Sequence, residues 1–136
     1  MNYEKIKKVV GIAFIHDNKL LIVRSERSSK TNSWTLVGGG VETGESLIEA
    51  ALREVREEIG EGFEFNEEDL LPILGFKEMA ASDSDIIVEM NIFLTNKDIH
   101  VTLSPNDEIL DYHWYSLGES EYNLSSSILY HLIPYL

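Results

Sequence analysis

Three glycines in a row, Gly38, Gly39 and Gly40, constrain this chain more than any other feature. With no Cβ they allow positive φ and close backbone approach, so main-chain groups there can reach a ligand. Gly44 follows in the same turn. Directly afterwards the spacing predicts a helix over about 46–59. Ile48, Leu52, Val55 and Ile59 recur at intervals of three and four and make one apolar stripe. Ser46 is placed as N-cap, with Glu49 three residues on in a capping-box pattern, and Gly60 as the C-terminal stop.

The same helix carries an unusual polar side. At about 100° per residue, Glu54, Glu57 and Glu58 fall in a sector of their own beside the stripe, with Arg53 beyond Glu57. Like charges at neighbouring helical positions destabilise one another. They also sit toward the helix C-terminus, where the macrodipole disfavours anions. Both penalties disappear if hard cations bind there. Magnesium takes oxygen ligands and commonly shares its shell with substrate phosphates. Taken alone, a run such as Glu54 to Glu58 reads as a solvated helix face. The glycine turn in front of it favours the metal reading.

Around this stretch the chain reads as strands. Val9 to Ile15 is a buried strand, Asp17-Asn18 a turn, and Leu20 to Ser25 its hairpin partner. Ser25 to Ser33 is a polar loop with Arg27 and Lys30, and Trp34 to Val37 is a short apolar piece. Leu71 to Met79 and Ile86 to Leu94 read as strands, the second with Ile86, Val88, Met90, Ile92 and Leu94 on one face. Tyr112 to Ser116 is a further short strand. Leu124 to Ile133 fits a C-terminal helix stopped near Pro134. The expected class is α/β, a mixed sheet flanked by helices, in a single domain over residues 1–136.

The formal net charge of -13 disfavours nucleic acid and anionic membrane as partners, since both are polyanions. A small anionic substrate is still admissible, because a divalent cation inverts the sign of a local acidic cluster. There is no cysteine, which removes disulfides, thiolate nucleophiles and zinc-thiolate sites and fits a reducing, cytoplasmic setting. No run approaches the ~18 apolar residues of a membrane span. Val9 to Ile15 follows Lys7 and Lys8 but ends in His16-Asp17 with no small-residue cleavage site, so it reads as a strand rather than a leader. The four histidines are scattered without metal-ligand spacing. A monomer or a homodimer is expected.

Gly39, five residues, Glu45, seven residues, Arg53-Glu54-Val55, one residue, Glu57-Glu58, one residue, Gly60: this pattern resembles the signature box of the Nudix hydrolases, the MutT-like proteins. Trp34 before the box and Trp114 in a late strand agree with the family. Two positions depart from it. Glu61 stands where an aliphatic residue is usual, and Val37 where proline is frequent.

The resemblance implies an α/β/α sandwich and hydrolysis of a diphosphate linkage in a nucleoside diphosphate joined to a moiety X. Examples of the substrate are a (d)NTP, oxidised dGTP, ADP-ribose or a dinucleoside polyphosphate. It implies Mg²⁺ or Mn²⁺ held by Glu54, Glu57, Glu58 and the carbonyl of Gly38. Arg53 would orient a neighbouring glutamate, and Glu45 would fix the loop–helix geometry, with Gly39 and Gly60 structural. Glu54 or Glu57 would be the general base. Some members take a base from outside the box, for which Glu108 is the first candidate here, then Asp111 and Glu89. Arg24, Arg27 and Lys30 are placed to meet substrate phosphates, with the Gly39 and Gly40 backbone. Trp34, Phe76 and Phe93 are read as core rather than as base-stacking residues. A nucleotide-sensing domain without activity is the alternative, but such domains usually lose box glutamates, and all three are present.

Overall fold

The computed structural model describes residues 5–25, 32–60, 63–79, 85–96 and 109–136. Strand β1 (Lys5–His16) is longer than its apolar segment suggested. It turns through Asp17 and Asn18, with φ of 52° and 61°, into β2 (Lys19–Ser25). Positive φ at both central residues matches the twist of a tight two-residue hairpin. Strand β3 (Val37–Gly40), helix α1 (Leu47–Glu58), β4 (Leu71–Met79), β5 (Ile86–Thr95) and β6 (Ile109–Ser116) follow.

The strands form one mixed sheet in the order β4-β5-β1-β2-β6, with β3 also paired to β1. β1 and β5 run parallel, from Lys5 opposite Ile86 to Phe14 opposite Thr95. β1 pairs with β2 only at Ile15–Leu20 and His16–Lys19. The two then part, and β3 takes up the freed ladder of β1, from Val9–Gly40 to Ile12–Val37. The three glycines are therefore strand, not the turn expected from their composition. A neighbouring ladder satisfies their backbone groups, which a loop would leave to water.

Side chains alternate between the two faces of the sheet. On one face Val10, Ile12, Phe14, Leu21, Val23, Val37 and Phe93 pack against Ala50, Ala51 and Val55 of α1. On the other, Ala13, Leu20, Ile22, Leu36, Ile92 and Tyr115 pack against Ile128 and Leu132. The result is the expected α/β/α sandwich. Within α1 the contact differs in detail from the expected stripe. Val55 is fully buried, whereas Ile48, Leu52 and Ile59 lie at the margin of the core. Ala50 and Ala51, with short side chains, bring the helix close to the sheet.

The C-terminus also departs from expectation. Leu124 bridges to Trp34 rather than starting a helix. The helical chain runs as a π-turn over Ser127–Leu132, with the Ile133 N–H donating to Ile128 O. Pro134 lies inside the last turn, Ile133–Tyr135, instead of stopping it. It occupies the opening positions of that turn, where a missing N–H costs least.

Candidate functional site

The site is built on β3 and α1. Ser46 caps α1 as its sequence indicated: its hydroxyl accepts from Glu49 N at 3.1 Å, and Glu49 Oε1 accepts from Ser46 N at 3.0 Å. This fixes the helix start. Beyond the helix, Gly60 has φ of +130°, a conformation that L residues rarely adopt, as its role as stop requires.

Arg53 organises the centre. Its Nε and Nη2 donate to the two carboxylate oxygens of Glu45 at 2.8 and 3.0 Å, a bidentate pair. Nη2 also donates to Gly40 O at 2.8 Å, and Nη1 to Glu54 Oε1 at 3.0 Å. A looser contact joins Nη1 to Glu57 Oε2 at 3.3 Å. Glu45 in turn accepts from Glu42 N at 3.0 Å, which folds the loop onto itself. The Arg53 hydrogen bond, with the Glu42 amide second, holds the Glu45 carboxyl below its ordinary value. Arg53 is held above its own, chiefly by Glu45. One guanidinium thus ties the loop, the last residue of β3 and the acidic side of the helix together.

Glu58 and Glu54 face β3. Gly38 N donates to Glu58 Oε2 at 2.7 Å. A Cβ on Gly39 would stand 2.5 Å from Glu54 Oε1, so only glycine leaves that carboxylate its place. Glu54 and Glu58 are 7% and 8% exposed, whereas Glu57 is exposed. The single three-carboxylate face expected from the helical wheel is therefore divided. Two glutamates turn into the helix–sheet junction, and Glu57 stands at its open edge. The wheel places positions around the helix but does not know where the sheet begins.

Three carboxylates, Glu45, Glu54 and Glu57, pair with one guanidinium, and a fourth, Glu58, is held beside them by the Gly38 amide. Every donor is a hard oxygen, and the negative charge is in excess, which suits Mg²⁺ or Mn²⁺ and not a thiophilic metal. Among the described residues no three acidic or histidine side chains already converge as a cation cage. Arg53 and the Gly38 amide engage them instead.

The other expected residues lie apart. Arg24, near the end of β2, faces Asp111 across the β2–β6 register. Its guanidinium carbon lies 5.5 Å from the centre of the Trp34 ring. Its Nε is buried without a hydrogen-bond partner among the described residues. Glu89, in β5, stands between Lys8 and Lys77 on neighbouring strands rather than beside Arg53. Arg27, Lys30 and Glu108 lie outside the described residues. Phe93 is core, 3% exposed, and Phe76 stacks on His131, as expected of packing residues.

One group was missed. Tyr122 meets Trp34 edge-on at 5.3 Å and stacks on His113 at 4.1 Å. His113 Nε2 lies 2.9 Å from Glu119 Oε2. No spacing in the sequence announces this group, because its members come from three separate segments.

Residues 5–135 match the family model described as the NUDIX domain, so the chain belongs to the NUDIX family. A nucleoside triphosphatase NudI from Salmonella paratyphi B is 36% identical over 90 residues, 60% of each chain. An NAD-capped RNA hydrolase NudC from Vibrio atlanticus is 37% identical over 60 residues, 44% of this chain and 22% of that one. The chain thus spans less than two thirds of these curated relatives. Among solved structures, the E. coli ORF135 protein superposes with a TM-score of 0.71 at 26% identity, covering 98% of this chain and 90% of that one. The MutT protein from Methanosarcina mazei superposes at 0.73 with 22% identity over 98% and 94% of the two chains and supports the fold.

Proposed function

We propose that this protein hydrolyses the diphosphate linkage of a nucleoside diphosphate joined to a moiety X, with a divalent cation held by Glu54, Glu57, Glu58 and the Gly38 carbonyl. The observation that carries the reading is the Arg53 network. One guanidinium fixes Glu45, Gly40 and Glu54 and touches Glu57, which gathers the carboxylates against the glycines of β3.

A divalent cation such as Mg²⁺ or Mn²⁺ held by these groups would supply a water of lowered pKa and would offset charge on the departing phosphate. The chain's own residues do the positioning. Arg53 keeps Glu54 oriented, and Glu45 keeps Arg53 in plane. Gly38 anchors Glu58. Glu57, exposed and in contact with Arg53 Nη1 at 3.4 and 3.3 Å, takes the proton of the attacking water in our assignment. Glu108 is the rival base.

A nucleoside triphosphate heads the substrate panel, because the longest matched relatives are named nucleoside triphosphatases. Two others, the NudC relative and an RNA pyrophosphohydrolase from Ruthia magnifica, are named for work on RNA. A net charge of -13 favours a free nucleotide over a polyanion. No helix of the described residues is long and apolar enough to cross a membrane. With no cysteine in the chain, we place it in the cytoplasm.

Phosphate release over a panel of (d)NTPs, oxidised dGTP, ADP-ribose and dinucleoside polyphosphates tests the proposal. Turnover should vanish in EDTA and return with Mg²⁺ or Mn²⁺. Glu57→Gln should lower it by about a hundredfold or more. Turnover that survives the chelator, or a Glu57→Gln variant as fast as wild type, refutes the mechanism. Full activity in Glu108→Ala removes Glu108 as base.

A further inference from the structure

Gly38 and Gly40 both turn their backbone away from β1. In an antiparallel ladder the N–H and C=O of one residue point to the same side, and every second residue points away from the partner strand. Gly38, across from Gly11, gives its N–H to Glu58 Oε2 at 2.7 Å. Gly40, across from Val9, accepts Arg53 Nη2 on its carbonyl oxygen at 2.8 Å. Glu58 and Arg53 therefore meet β3 along its outer edge. An anionic substrate approaches that edge, not the covered centre of the sheet.

Arg53 is fully engaged there. Its Nε and Nη2 donate to Glu45 and Gly40, and its Nη1 to Glu54 and Glu57. Those contacts occupy every N–H of a guanidinium. The carboxylates beside it exceed its charge. A substrate phosphate that extends past the acidic groups needs a positive group from elsewhere.

Lys7 supplies one. A Cβ on Gly40 would have a single heavy atom within 4 Å among the described residues, Lys7 Cε at 3.4 Å. The Lys7 stem thus lies across Gly40, with its ammonium one bond further on. The residue whose carbonyl holds Arg53 is the residue that Lys7 crosses. No side chain at position 40 stands between that cation and the strand edge. Lys7 is itself exposed, in a chain of net charge -13. Side chains alternate along a strand, so Lys5 shares the face of Lys7 about 7 Å further from Gly40, and Lys8 takes the other face, across from Glu89.

We infer that Lys7 binds the phosphate next to the linkage being cut in a nucleoside triphosphate, and so makes the site select three phosphates over two. This rests on the hydrolase reading above and narrows its substrate class. The linkage at the carboxylates accounts for two phosphates, and Lys7 meets the third. ADP-ribose has no such group. The charge that Lys7 meets is present before the water attacks and after, so the contact holds ground state and transition state alike. It lowers KM and leaves kcat nearly unchanged.

Methylenediphosphonate and bis-methylene triphosphonate carry two and three phosphorus groups whose P–C–P links water does not cut, so their binding is read independently of hydrolysis. The experiment is calorimetric titration of the full chain with each in MgCl₂, beside kcat and KM for dGTP. Wild type should bind the triphosphonate more tightly. Lys7→Met keeps the stem and removes the charge. It should weaken the triphosphonate about tenfold, the loss of one hydrogen bond to a charged group, and the diphosphonate by less than about twofold. KM for dGTP should rise about tenfold, with kcat changed by less than about twofold. Lys7→Arg keeps the charge and should recover most of the loss. Lys5→Met removes the same charge further along the strand and should change neither constant by more than about twofold. Equal losses on the two phosphonates, an equal effect of Lys5→Met, or wild-type binding in Lys7→Met overturns the assignment. Failure of wild type to prefer the triphosphonate overturns it as well. No turnover of any nucleotide tested, with Lys7-dependent triphosphonate binding intact, would refute the hydrolase reading and leave Lys7 as a polyphosphate contact.

Discussion

Gly38 donates its backbone N–H to Glu58 Oε2 at 2.7 Å, and Glu58 is 8% exposed. A strand amide and a helix carboxylate twenty residues apart thus close the junction on which the site stands. Glu58→Ala leaves the buried amide without an acceptor and should destabilise the fold by about 1–3 kcal/mol in urea titration. Glu58→Gln still offers an oxygen and should recover most of that loss while remaining inactive. Equal stability of the Ala and Gln variants would mean that the amide finds water instead.

Gly38 and Gly39 should respond differently to alanine. At Gly38, φ of +152° and the Val10 backbone both exclude a side chain, so Gly38→Ala should cost more than about 3 kcal/mol and impair folding. At Gly39 the obstacle is the Glu54 carboxylate, 2.5 Å away, which can swing aside. Gly39→Ala should therefore fold and lose activity by about tenfold or more, as a displaced ligand would. Circular dichroism and turnover on the same samples decide it. An active Gly39→Ala would show that Glu54 is not held where it needs to be.

Much of this arrangement was legible beforehand. Ser46 and Glu49 announced the cap because capping is local, involving a hydroxyl and an amide three residues apart. Glu54, Glu57 and Glu58 announced an acidic site because helical spacing is regular. What periodicity could not give was which carboxylates meet the sheet. Glu54 and Glu58 are buried, and Glu57 is not, because β3 lies where it does. The glycines read as a turn because their freedom suggests one, yet the ladder of β1 made them strand. Leu124 fitted a helical pattern but was claimed by the Trp34 backbone. The Tyr122 ladder has no local signal at all, since Trp34, His113 and Tyr122 meet only after the sheet has formed.

Glu119 gives the fold a pH dependence of known sign. The Ser116 amide first, and the His113 ring second, hold its carboxyl below the ordinary glutamate value of 4.5. A group depressed in the folded state contributes stability that is present above the unfolded value and lost as pH falls through the folded one. The stability difference between wild type and Glu119→Gln should therefore be full at about pH 6 and shrink as pH falls below about 4.5. Urea titrations of both proteins across that range measure it. A difference that grows toward acid would reverse the sign and remove the carboxylate as the anchor of His113.

The acidic site should also report its cation without any substrate. Glu45, Glu54 and Glu57 share the Arg53 guanidinium and Glu58 lies on the Gly38 amide, so the folded chain gathers carboxylates that the unfolded chain spreads through water. A cation that binds only the folded form stabilises it by about 1.4 kcal/mol at ten times its dissociation constant. For a chain of this size that raises the melting temperature by about 3–6 °C. General screening of a -13 chain would do something similar, so the comparison is millimolar MgCl₂ against NaCl of equal ionic strength. Wild type should gain from magnesium beyond the sodium control, and Glu57→Gln should lose most of that excess. Equal gains in the two salts, or an undiminished gain in Glu57→Gln, would take Glu57 out of the cation site and return it to the solvated surface of the helix.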